Sequence, residues 1–310
     1  MKDCQTFFTW FPAGARYMLL SALAFALMGV FVKLAGQQGI PVLEIIAARA
    51  AISLVLSYWQ VRRRNLSPWG NRKDLLLMRG LVGFLSLTAV YYALVHLPFA
   101  EATVLQYLHP MFTALLALLL LSERPTRATV LCIGLSFVGL IIMVRPGSFF
   151  GPAWEGQLNS VAVMIGVAGA FGSGLAYTLV RKLSATEDAA VIVFYFPLVC
   201  LPATLVLLGD GAVMPSPAGW LILLMVGLCT QIGQLALTQA MRLETASRAV
   251  SFSYSQVVFA MVLGILVFDE IPVFWTYIGA TLIVMGALVN LLWRRPQRPV
   301  NTKAGEMPPR

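Results

Sequence analysis

Charge is what this chain has least of. Only 11% of its 310 residues are Asp, Glu, Lys or Arg, 59% are hydrophobic, and the mean hydropathy is +0.82. A soluble globular chain is about one-quarter charged, so a water-soluble fold is excluded. Cysteines are few as well. Cys4, Cys132, Cys200 and Cys229 are scattered, no two at a CxxC or other ligand spacing, so neither a disulfide framework nor a zinc site is indicated. HExxH, GxSxG, paired intramembrane aspartates and a Walker A loop are missing, which argues against an intramembrane enzyme and an ATP-driven pump. No cofactor motif appears. The Gly-rich GVAGAFGSG at 166–174 lacks a preceding strand and instead spaces Gly166, Ala170 and Gly174 four apart, a small-residue face for close helix contact.

What is present is a series of apolar runs of membrane-spanning length, roughly 17–25 residues each. Ten are legible, at 15–35, 42–60, 74–95, 99–121, 127–144, 160–181, 189–208, 218–241, 245–267 and 272–293. Turn signals such as GQQGIP (36–41), LSPWGN (66–71), RPGSFFGP (145–152) and MPSPAG (214–219) separate several of them. The first run has no small-x-small cleavage site before Lys33 and reads as an uncleaved span. All-α membrane architecture follows.

Cations supply an independent test, because Lys and Arg crowd the cytoplasmic loops of membrane proteins. With the N-terminus inside, that face receives Arg62–Arg64, Arg72, Lys73, Arg79, Arg124, Arg127, Arg181, Lys182, Arg242, Arg248, Arg294 and Arg295, and only Lys33 and Arg145 fall outside. Ten spans with both termini cytoplasmic, in a bacterial inner membrane, satisfy this partition. The net charge of +9 then needs no nucleic-acid partner. The expected partners are the lipid bilayer and a small-molecule substrate, and oligomeric state is not readable. The tail RRPQRPVNTKAGEMPPR, 294–310, reads as disordered and cytoplasmic.

The chain also repeats itself. Sliding it by 147 residues sets Gly80 on Gly227, Tyr107 on Tyr254, Phe112 on Phe259, Glu123 on Glu270, Pro125 on Pro272 and Gly139 on Gly286. Residues 1–150 and 151–293 then hold five spans each. Five is odd, so the second copy enters the membrane upside down, the inverted repeat of many secondary transporters.

YYALVHLPFAEATVLQYLHPMFTALLALLLLSERPT and its counterpart QAMRLETASRAVSFSYSQVVFAMVLGILVFDEIP, with CIGLSFVGLIIMVRPG and YIGATLIVMGALV, resemble the EamA type of the drug/metabolite transporter superfamily over about residues 17–293. The resemblance implies two five-helix repeats around a central cavity, with the third, fourth, eighth and ninth spans among its walls. It also implies alternating-access transport of a small organic metabolite. Substrates across that family run from amino acids and aromatic compounds to riboflavin and amino-acid-derived metallophores. Export of an amino acid or such a chelator is the leading reading, import of a vitamin or cofactor-like metabolite the alternative, and a channel or receptor a weaker third.

Polar groups inside spans are costly, about 2.5–3.5 kcal/mol for a central charge on insertion scales, and usually face a cavity or a partner helix. Arg49 lies well inside the second span, about 140° round the helix from Glu44, so the two do not pair on one face. It is either a counter-ion for a substrate carboxylate or a tie between helices. Thr103, Gln106, Tyr107 and Pro110 share one face of the fourth span, and Ser251 and Tyr254 lie on the matching face of the ninth. Pro110 should kink the fourth span. Gln231, Gln234 and Thr238 share a face of the eighth span, and Tyr177 lies in the sixth. All are candidate cavity residues, with hydrogen bonding between helices as the alternative. Glu101 and His109 are candidates for proton coupling. Glu123 and Glu270, each two residues before a proline, read as helix caps.

Overall fold

The computed structural model describes residues 12–97, 99–144, 160–209, 211–269 and 274–293, with side chains except at 94–95, 99–102 and 144. Glu101's side chain, Glu270, Pro272, Cys4, Arg145 and the tail at 294–310 lie outside that description. Every described element is helical. The first three segments are α1 (Ala13–Gln37), α2 (Val42–Arg63) and α3 (Lys73–His96). The fourth is two helices, α4 (Phe99–Gln106) and α5 (His109–Leu121), and the fifth is α6 (Arg127–Val144). The second half mirrors this order with α7 (Ser160–Leu183), α8 (Ala189–Leu208) and α9 (Pro217–Leu243). Then come α10 (Ala246–Ser251), a 3-10 turn over Phe252–Tyr254, α11 (Ser255–Phe268) and α12 (Phe274–Leu292).

Length and apolarity suffice for a membrane crossing in nine of the ten segments, and the remaining one, at Arg127–Met143, is a shorter apolar helix. Large apolar side chains such as Leu85, Leu119, Met164, Val206 and Leu266 point outward, which in a chain of this composition is a lipid-facing belt. Helix ends follow local chemistry. Asp188 accepts from the Ala190 N–H at the start of α8 (2.9 Å) and Ser216 from Gly219 at the start of α9 (3.0 Å). Ser122 closes α5 in the left-handed conformation at φ +55°, and Asp269, its repeat partner, closes α11 at φ +53°.

Packing runs mainly between the halves. The pair α1–α9 is matched by α3–α7, α1–α11 by α5–α7, and α2–α9 by α3–α8, while α2–α8 and α6–α12 map onto themselves. Exchanging the two halves leaves this pattern unchanged, as an inverted repeat requires. Small residues permit the closest approaches: a Cβ on Gly174 would sit 2.8 Å from that of Phe112, and one on Gly139 would sit 2.6 Å from the Gly279 carbonyl.

The two ends of the bundle differ. At the end carrying the Arg-rich loops, here the basic end, Met18, Val61, Leu76, Val180, Leu183, Ile192, Leu237, Met241, Val250 and Leu291 belong to one buried cluster. At the far end there are two separate packets, one around Ala35, Ile40, Ile45 and Leu223, the other around Ala93, Leu97 and Ala162. The basic end is thus one continuous core, whereas away from it the packing divides into smaller clusters, one of which, around Ile46, Ala50, Phe196 and Cys200, joins α2 and α8 to α3.

Polar ties reinforce the basic end. The Arg181 Nε donates to Glu123 Oε1 at 2.7 Å, and its Nη1 donates to the Met241 carbonyl at 2.7 Å. Glu123 Oε2 accepts from the Ala246 N–H at 2.9 Å. Glu123 is thus a cap, but on α10 of the opposite repeat rather than on the helix that follows it, α6, which Thr126 caps through the Thr129 N–H. Nearby, Glu187 Oε1 accepts from the Asn71 and Arg72 N–H groups at 2.8 Å each.

Candidate functional site

The fourth and ninth segments, expected as continuous helices with a kink at Pro110, are both interrupted, and at matching positions. Pro110 has no N–H, so the Gln106 carbonyl one turn earlier lacks its helical donor. His109 fills the vacancy with Nδ1, 3.0 Å from that oxygen. A carbonyl only accepts, so Nδ1 carries the proton and Nε2 is left as an acceptor; Nε2 is buried without a partner. The ninth segment breaks with no proline, through the 3-10 turn Phe252–Tyr254. Tyr254 then donates its hydroxyl to the freed Tyr107 carbonyl at 3.0 Å, and the two rings stack with centroids 5.9 Å apart.

Two chambers lie between the halves. The first is lined by Met18, Ser21, Ala22 and Phe25 of α1, Gln106, Tyr107 and His109 at the first break, Tyr177 of α7, and Ser253 and Gln256 at the second. The His109 ring meets Tyr177 edge-on at 5.2 Å. The second chamber is lined by Arg49, Ala50 and Ser53 of α2, Val193, Phe196 and Pro197 of α8, and Thr230 and Gln234 of α9. Pseudo-symmetry runs through both. At the 147-residue offset Gln106 corresponds to Ser253, His109 to Gln256, Arg49 to Phe196 and Ala50 to Pro197, and each of these pairs shares a chamber.

Of the residues expected to line a cavity, Arg49, Gln106, Tyr107, Tyr177 and Gln234 do so, together with His109. Four do not. Gln231 is paired with Ser57 on α2, donating to its Oγ at 2.9 Å, which is the interhelical tie weighed as its alternative. Thr238 donates to the Gln234 carbonyl of its own helix at 2.8 Å and is fully buried. Ser251 donates to the Arg248 carbonyl and accepts from Asn290 at 2.6 Å. Tyr254 is completely buried against Leu140 and Ile283. Thr103 lines neither chamber; its carbonyl accepts from the Tyr107 N–H at 3.1 Å.

Arg79 was placed with the basic loops, yet it is 4% exposed. Its Nη2 donates to Gln234 Oε1 at 3.3 Å and its Cζ lies 4.8 Å from the centroid of Phe196. The flanking sequence LLLMRGLVGFL, apolar on both sides, was the available signal. Arg49 comes to the same ring at 5.9 Å, with Met28 Sδ at 4.0 Å from its Nη1. Phe196 itself was not foreseen; it has no polar atom to draw attention.

Comparison with known proteins bears on what this cleft does. The EamA-like transporter family model matches residues 12–145 and again 160–292. The pseudopaline exporter CntI of Pseudomonas aeruginosa is 30% identical over 277 residues, covering 89% of this chain and 95% of that one. Solute carrier family 35 member G1 of Mus musculus is 30% identical over 283 residues, 88% of this chain and 76% of its own. A crystal structure at 20% identity superposes with a TM-score of 0.77 over 91% of this chain and 99% of that one, which shows the fold.

Proposed function

Because the chain belongs to the EamA-like transporter family, we propose that it exports a small organic metabolite bearing a carboxylate, an amino acid or an amino-acid-derived compound such as a metallophore, by alternating access. One observation carries this reading: the guanidinium of Arg49, 7% exposed, lines a cleft between the repeats and has no carboxylate partner among the described residues. A buried unpaired cation in a membrane protein is expensive and marks a substrate or ion path. The Pseudomonas relative is a pseudopaline exporter, which supports the direction and the substrate class.

The membrane is taken as the bacterial cytoplasmic membrane with the basic end inside, on the strength of the charge partition. Residues 1–150 and 151–293 are the two repeats, supported by the separate family matches, with 294–310 as a cytoplasmic tail. On that orientation the far end of the bundle faces outward. His109, whose Nε2 is an unpartnered acceptor in the first chamber, is the candidate proton carrier, together with Glu101.

Transport of labelled amino acids and amino-acid-derived chelators into inside-out vesicles tests this. Accumulation that Arg49→Gln abolishes, with the variant still folded, is the expected result. If Arg49→Gln only lowers expression and leaves affinity and transport intact, Arg49 is a helix tie and the reading fails.

A further inference from the structure

Beside the second chamber, whose lining includes Arg49, lies a further cation, Arg79, bonded to the lining residue Gln234. Arg79 is nine-tenths buried or more, and apart from the Gln234 amide oxygen its guanidinium is unsatisfied: Nε and Nη1 have no partner. Arg49, on the other flank of the chamber, meets a thioether and an aromatic face. Ser53, also on the lining, has a buried hydroxyl with no partner.

Described acids do not answer these cations. Glu123, Glu187 and Asp188 are bound at the basic end, Glu244 pairs with Arg248, and Glu44 accepts from the Val213 N–H. Contact with Phe196 offsets only part of the cost of desolvating each guanidinium. The two like charges also repel each other across one ring. The arrangement is stable as a binding site waiting for anions and poor as a purely structural element.

We propose that Arg49 and Arg79, gathered on the ring of Phe196, form a two-cation subsite that takes an organic anion carrying at least two negative charges. This rests on the reading of the cleft as the substrate site and narrows its substrate class from one carboxylate to two or more anionic groups. Guanidinium forks suit carboxylate and phosphate alike, so the shared chemistry is a pair of oxyanions held a few ångströms apart. Gln234, already bonded to Arg79, and the Ser53 hydroxyl supply neutral hydrogen bonds to the same ligand.

The test uses the purified full-length protein in lipid nanodiscs, titrated with butyrate, succinate, tricarballylate and phenyl phosphate while thermal unfolding is followed. Succinate, tricarballylate or phenyl phosphate should raise the unfolding midpoint at concentrations at least about tenfold below butyrate. Preference for the two carboxylate probes assigns carboxylates and preference for phenyl phosphate assigns phosphate, each supporting the dianion. Arg79→Gln should erase the preference for dianions over butyrate, and Arg79→Lys should keep most of it. Butyrate binding as tightly as succinate to the unaltered protein overturns the proposal without any variant being needed. So does an Arg79→Gln protein that folds and keeps the preference. If no anion of either valence binds while vesicles still export a neutral or zwitterionic amino acid, the two-cation subsite is wrong and export stands; if nothing moves in vesicles at all, the export reading itself falls.

Discussion

The first repeat supplies charge to the cleft and the second supplies surface. Where the first half has Arg49 and His109, the second has Phe196 and Gln256 at the matching positions, lining the same chambers. The backbone is shared almost element for element, down to the left-handed residue that closes α5 and α11. The chemistry is not. A symmetric scaffold lets either end of the bundle close by equivalent motions, whereas recognition of an asymmetric solute requires that the two walls differ.

Making the repeats alike should break function in proportion to the charge removed. Arg49→Phe, which copies Phe196, should lower transport of a carboxylate-bearing substrate about 100-fold. The unfolding midpoint should not fall, because a buried unpaired cation is lost; vesicle flux and thermal scans read the two effects. Glu123→Ala removes the Arg181 ion pair and the α10 cap together, and should destabilise the protein by about 2 kcal/mol, measured by thermal unfolding in detergent. His109→Gln, which copies Gln256, should flatten the dependence of transport on pH between about 5 and 8 with only a severalfold change in maximal rate. A profile unchanged from that of the parent removes His109 from the proton path. Tyr254→Phe loses one hydrogen bond to the Tyr107 carbonyl and should cost about 1 kcal/mol of stability while leaving substrate preference untouched; a changed preference would return Tyr254 to the cavity wall.

The ten segments and their repetition were legible because both are properties of chain composition: apolar runs have a length fixed by the bilayer, and Glu123-x-Pro125 recurs as Glu270-x-Pro272. The break in the fourth segment was partly legible through Pro110. Its twin in the ninth was not, since Phe252–Tyr254 carries no breaker and the 3-10 turn is set by tertiary contact with Tyr107. The tyrosine pair misled for a physical reason. Residues equivalent by a two-fold axis meet each other when they lie near it, so Tyr107 and Tyr254 stack and bond across it, and only Tyr107 borders the cleft. Arg79 misled because a cation six residues from the loop at Lys73 is usually within reach of water. The fold turns it inward beside Gln234 instead.

The single core at the basic end also fixes how the molecule can move. Leu76 of α3, Leu183 of α7, Ile192 of α8 and Met241 of α9 share one apolar neighbourhood, clasped by Glu123 and Arg181, so no one helix can swing away without uncovering the others. The far-end packets each contain helices from both halves, α1, α2 and α9 in one and α3, α4 and α7 in the other. If the chain works by alternating access as proposed, those packets are the parts that must come together when the basic end opens.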